Sequence, residues 1–170
     1  AAQLACGLDA PALPETSDDP AVKLVGEIVA AMSVSPEVRD TARSALRSRI
    51  KSKPPAWVEA WARVAIGRSL LLDDAPDSKR LGVIELLHLP ARVPDDVPYL
   101  TGIALAESAV ALHLLGDDAG ADRLRSELAT DYSGHPALDW APLRGWKSPN
   151  PAPNPAPSPP AAITAEAPRK

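Results

Sequence analysis

Four aspartate pairs, Asp18-Asp19, Asp73-Asp74, Asp95-Asp96 and Asp117-Asp118, hold the densest ligand-type oxygens in the chain. The chemistry such pairs offer is cation binding. A calcium loop, however, sets oxygens at alternating positions around a glycine turn and closes on a bidentate glutamate. None of the four pairs has that spacing. Each stands just ahead of a stretch with helical period, where a carboxylate accepts from free helix N–H groups and meets the positive end of the dipole. They are expected to be caps worth about 0.5–2 kcal/mol each, and no metal site is expected.

Other reactive groups are sparse. His88, His113 and His135 lie far apart, and none has a second histidine or cysteine at ligand spacing. His88 and His113 fall in the closing turns of helices, where a partly cationic ring is at home. Cys6 is the single cysteine, which excludes an internal disulfide and a cysteine-based zinc cage. The chain holds no Gly-rich phosphate loop, no HExxH and no nucleophile elbow. No catalytic residue and no cofactor is therefore assigned.

Two groups remain as candidates for contact. Arg39, Arg43, Arg47, Arg49, Lys51 and Lys53 stand against only Glu37 and Asp40. Arg39, Arg43 and Arg47 recur every fourth residue and so share one helix stripe. The plain expectation is a solvated face whose charge suits the helix C-terminus. The functional alternative is a contact strip for an acidic partner or anionic lipid headgroups. Nucleic acid is not expected, because no aromatic side chains interleave with the arginines and the net charge is −4. Trp57 and Trp61, one turn apart, are expected in the core, since tryptophan is highly buried on average. Exposure would make either a hot-spot candidate. Trp140 and Trp146, near the end of the fold, are better placed to touch a partner.

The elements that carry these residues are helices punctuated by proline. Asp18-Asp19-Pro20 starts one to about Ser33, and Ser35-Pro36-Glu37 starts a second to about Ser52. After Lys53-Pro54-Pro55 a third runs to about Leu72, and a fourth occupies Pro76 to Leu89, ended by Pro90 and Pro94. The stretch Val97–Tyr132 is a helical hairpin. Its first helix carries apolar residues too broadly spread for a surface helix and should be buried on more than one side. Gly116 supplies its left-handed stop. His135 to Trp146 is read as a short helix or turn covering the end of the stack.

The 170 residues divide into an irregular arm (1–19), a helical domain (20–146) and a Pro/Ala-rich tail (147–170). In the tail, proline recurs at 149, 151, 153, 155, 157, 159 and 160, which points to polyproline II acting as a stiff tether. Its one PxxP spacing, Pro157 to Pro160, is a weak signal for an SH3-type partner. No apolar run reaches the ~18–20 residues of a membrane span. Phe is absent and Met occurs once, so the core must be built from Ala, Leu, Val and Ile. The abundance of Ala and Pro is the usage of GC-rich bacterial genomes. Ala1-Ala2 without an initiator Met fits a cleaved export signal or a piece of a longer product. Leu4-Ala5-Cys6-Gly7 departs from a lipoprotein box at Gln3, so Cys6 is expected to be a plain thiol.

Internal similarity ties the helices together. Asp73-Asp74-Ala75 recurs as Asp117-Asp118-Ala119 at 44 residues, Arg80-Leu81 as Arg123-Leu124 at 43, and Glu85-Leu86 as Glu127-Leu128 at 42. Periods of this size mark helical-hairpin solenoids. Leu115-Gly116-Asp117, Ala121, Leu124, Leu128 and Tyr132-Ser133-Gly134-His135-Pro136-Ala137 resemble the tetratricopeptide-repeat (TPR) superfamily, in its divergent bacterial envelope form. They look like the small residue early in the second helix of that repeat and the proline that ends it. The units here are longer than the usual repeat, and the aromatic residues of its first helix are out of register.

The resemblance implies an all-α, right-handed solenoid of three helical hairpins plus a C-terminal cap, whose concave face binds peptides or partner subunits. It transfers no specific binding residue. Small domains of that kind rarely carry chemistry themselves. The expected function is thus a non-catalytic scaffold or accessory subunit of a bacterial envelope assembly, on the periplasmic side or otherwise cytoplasmic; the alternative is a small enzyme whose site assembles from residues distant in sequence. Its partners would be protein subunits, held by the helical surface and the extended termini.

Overall fold

A computed structural model describes residues 19–92 and 95–144, so the arm to residue 18, the tail from 145 and Trp146 lie outside the described residues. Every regular element described is helical. These are α1 (Pro20–Ala30), α2 (Pro36–Lys51), α3 (Ala56–Leu71), α4 (Pro76–Arg92), α5 (Pro98–Leu114), α6 (Asp118–Asp131), a 3-10 turn (Pro136–Asp139) and α7 (Ala141–Arg144).

Local chemistry sets most of the boundaries. Pro20, Pro36 and Pro98 occupy first-turn positions, where the missing N–H costs no ladder bond. The Asp19 carboxylate accepts from Ala21 N–H at 2.8 Å, and Asp117 accepts from Gly120 N–H at 2.9 Å. Two of the four aspartate pairs therefore supply the expected caps. The other two do not. Asp95 and Asp96 sit exposed in a turn, and Val97 stands at the N-cap of α5 without a side-chain cap bond. Asp73 turns its carboxylate to α2. Helix α4 also continues past Leu89 to Arg92, because Pro90 lies in its last turn and removes one ladder bond rather than stopping the helix.

Gly116 ends α5 at φ +82°, with its own N–H bonded to His113 O at 3.0 Å and Asp117 N–H to Leu112 O at 2.9 Å. That closure requires a left-handed residue. An added Cβ would meet no neighbour within 4 Å, so the cost of replacement is conformational alone. Gly116→Ala should lose about 1 kcal/mol and Gly116→Asn less, read as midpoint shifts in urea denaturation. Equal stability of all three would remove the αL argument.

Packing follows chain order. From α1 to α6 each helix lies against the next, and α1 also meets α3, α3 meets α5, and α5 meets α7, so the odd helices form one layer. Among the described residues the buried hydrophobic side chains are those of Leu, Ala, Val and Ile. Leu24, Ala42, Leu46, Val58, Ile66 and Leu70 join α1, α2 and α3. Val64, Leu86, Leu89, Leu100 and Ala104 join α3, α4 and α5, while Leu105, Ala121, Leu128 and Leu143 join α5, α6 and α7. Helices α3 and α5 each serve two of these clusters, as the wide apolar surface of α5 requires.

Small residues set the distances. An added Cβ at Gly82 of α4 would stand 2.8 Å from the Gly67 carbonyl oxygen of α3. The C-terminal turn is pinned similarly. The His135 ring lies against Gly102 of α5, where a Cβ would be 2.5 Å from its Cδ2. His135 Nδ1 accepts from Ala137 N–H at 3.1 Å, so Nε2 carries the proton and donates to Tyr99 O at 3.0 Å. The ring also stacks, tilted, on Tyr99 at a centroid distance of 5.2 Å. His135 thus holds the cap of the stack in place.

Candidate functional site

The arginine stripe of α2 is not the surface that its spacing suggests. Arg39 is 8% and Arg43 7% exposed, and both reach the Asp73 carboxylate between α3 and α4, Arg39 through Oδ1 and Arg43 through Oδ2, each at 2.9 Å. Arg39 also donates to Ser33 O and Val34 O at 3.1 and 3.2 Å. Arg43 donates to Ser69 O at 3.2 Å and pairs with Asp40. Arg47, two turns on from Arg39, has rotated out into solvent. Two of the three cations are therefore spent inside the fold, which corrects the solvated-face expectation for Arg39 and Arg43 and leaves Arg47, Lys51 and Lys53 as the exposed cations of the stretch. Asp73 lies 34 residues from Arg39, and no local pattern announces the pairing.

Similar pairs join other neighbours. Arg49 meets Glu27 of α1 at 2.8 and 2.9 Å, and the hydrogen-bonded carboxylate raises the arginine pKa. Arg63 spans Glu59 at 2.8 Å and Glu85 of α4 at 3.0 Å. Arg68 of α3 donates through Nε to Glu107 Oε1 of α5 at 2.7 Å, while Glu107 Oε2 is buried without a hydrogen-bond partner. At the far end, burial pushes the Tyr132 hydroxyl pKa up, and burial plus nearby Asp131 pushes Glu127 up.

The tryptophans depart from their expected core positions. Trp57 is 51% and Trp61 39% exposed. The core side of α3 is taken by Val58, Ala62, Ala65, Ile66 and Leu70, and the indoles lie on another face of the helix. By helical spacing Trp57, Trp61, Arg68 and Leu72 share one stripe, and Leu72 too is exposed. The stripe leads, through the Arg68–Glu107 pair, to an apolar groove of about 230 Å³. Its walls are Leu71, Lys79, Glu107, Val110, Ala111, Leu114, Trp140 and Pro142. Trp140 is half-buried, with one side on the α5–α6 core. Trp146 lies outside the described residues.

Among the described residues no group of His, Cys, Asp or Glu is arranged to hold a metal ion, and His113 instead faces Asp118, Nδ1 to Oδ1, at 2.6 Å. No described helix is long and apolar enough to cross a membrane. The arrangement offers aromatic and aliphatic contact surface on the layer of odd helices. Nothing in the sequence pattern singled out the groove, because its walls come from four helices and only α5 contributes a contiguous run. Comparison with protein-family models, with curated proteins and with solved structures gives no match to this chain.

Proposed function

We propose that the chain is a non-catalytic interaction scaffold, an accessory subunit that holds a protein partner in a bacterial envelope assembly, on its periplasmic side. The architecture behind this reading is a TPR-like, right-handed solenoid of three hairpins (α1–α2, α3–α4, α5–α6) closed by the 3-10 turn and α7. The contacts between alternate helices, α1 with α3, α3 with α5 and α5 with α7, support it. The observation that carries the function is the exposed indole pair, Trp57 and Trp61, one turn apart on the layer of odd helices. Two half-exposed tryptophans lose favourable burial unless another surface covers them, and tryptophan is enriched where interfaces concentrate their binding energy. Residues 1–18 and 145–170 would add contact area.

A membrane-surface or acidic-partner role through 39–53 loses its support with Arg39 and Arg43 engaged by Asp73. The test is native affinity isolation at endogenous level, with partner stoichiometry from quantitative mass spectrometry. A stoichiometric partner should be retained by the natural chain. Trp57→Ala/Trp61→Ala should lose it by a hundredfold or more in affinity, since hot-spot truncations cost about 2 kcal/mol each. Circular dichroism should stay unchanged, because both side chains are exposed. Full retention by the double variant would move the binding surface elsewhere, and a chain that stays alone and monomeric would sink the scaffold reading.

A further inference from the structure

We propose that the groove walled by α3, α4, α5 and α7 is the seat of this chain's own proline-rich segment, residues 149–155. The inference is independent of the scaffold reading. Its first support is position. Trp140 and Pro142 form one wall of the groove, and α7 ends at Arg144. Residue 149 follows five residues later, and an extended chain spans about 3 Å per residue, so the first prolines can reach the groove without strain.

Chemistry is the second support. Pro149, Pro151, Pro153 and Pro155 alternate with Asn150, Ala152 and Asn154, and the stretch 148–165 carries no charge. Such a segment favours polyproline II, which presents pyrrolidine rings and has no internal hydrogen bonds to break. Grooves that accept it are apolar with an aromatic wall. Val110, Ala111 and Leu114 provide the apolar surface here, and Trp140 the indole. The buried, unpartnered Oε2 of Glu107 asks for a donor, and the segment brings two, the Lys147 ammonium and the Asn150 amide.

Size selects the occupant. At about 230 Å³ the groove is smaller than the roughly 300–1,000 Å³ of pockets that enclose drug-sized ligands. An untethered peptide filling so little space would bind weakly. A segment attached a few residues away is present at an effective concentration on the order of millimolar or above, and a proline at every second position lowers the entropy lost on docking. The tether turns weak contact into occupancy. Seating 149–155 there would also fix where the rest of the tail leaves the domain.

The test uses the full chain with a photoreactive benzoylphenylalanine in place of Ala152, irradiated and mapped by mass spectrometry. Intramolecular cross-links should concentrate on peptides covering 107–114 and 140–142. Leu114→Asp should lower their yield at least fivefold. Leu114 is 77% exposed, so this change leaves the fold intact and lowers the melting temperature by a few degrees at most, the cost of a carboxylate in the last turn of α5. Cross-links spread over the whole domain, or a yield unmoved by Leu114→Asp, would overturn the proposal. Products that join two chains would overturn the intramolecular assignment in favour of a second copy.

Discussion

Asp73→Ala is expected to remove about 3 kcal/mol of stability, a shift of about 10 °C in melting temperature for a domain of this size. Its carboxylate is the shared acceptor for Arg39 and Arg43, and its side chain is only 19% exposed. Without it, two guanidinium groups lie close together in a poorly solvated place with no common counter-charge. Removing one side of a buried ion pair costs about 3–5 kcal/mol, because the remaining charge stays desolvated. The lower end applies here. Arg39 keeps the carbonyls of Ser33 and Val34, and Arg43 keeps Asp40 and the Ser69 carbonyl.

The measurement is urea denaturation of Asp73→Ala beside the triple change Arg39→Met/Arg43→Met/Asp73→Leu. The triple variant should regain most of the loss, since apolar replacement of a whole buried ionic cluster is often neutral or stabilising. If Asp73→Ala lies within about 0.5 kcal/mol of the natural chain, the cluster behaves as a surface pair. The basic stripe would then return as a binding surface.

Gly82→Val should cost a similar amount, about 3 kcal/mol, at the upper end of what overpacking exacts. Helix propensity alone argues the opposite, since glycine in a helix interior is about 1 kcal/mol worse than alanine. Geometry decides the sign. A Cβ on Gly82 would meet the Gly67 carbonyl oxygen at 2.8 Å, Leu71 Cδ2 at 3.1 Å and Leu70 Cβ at 3.2 Å. The first of these is backbone and cannot swing aside, so α3 and α4 must part. Leu86 sits at the same crossing, fully buried, and would lose contacts as they do.

Gly82→Ala should show the same sign with a smaller loss, because the propensity gain offsets part of it. Gly134→Ala is the matched control. Its added Cβ meets nothing within 4 Å, so its melting temperature should stay within a degree or two of the natural value. A Gly82→Ala variant more stable than the natural chain would show that the helix crossing is looser than the structure has it.

What the sequence determines by itself here is the run of helices, because helix signals are local. A proline in the first turn, a capping Asp19 or Asp117 and a left-handed Gly116 act within four residues of where they stand. The broad apolar set of α5 likewise announces burial on several sides, and α5 serves two core clusters. Where the local signal is ambiguous, the structure departs from it: Pro90 does not end α4, and Asp95-Asp96 do not cap α5.

Which face of each helix meets which neighbour was decided by the tertiary structure alone. Arginines four apart look the same whether they face water or a carboxylate 34 residues away. Two tryptophans one turn apart look like core until the buried face of α3 proves to be the one that carries Val58, Ala62, Ala65, Ile66 and Leu70. The groove beside Trp140 belongs to no single stretch of chain. The physical reason is common to all three. Helical periodicity fixes the angle between side chains on one helix, while burial depends on the distance and charge of what the fold brings against them.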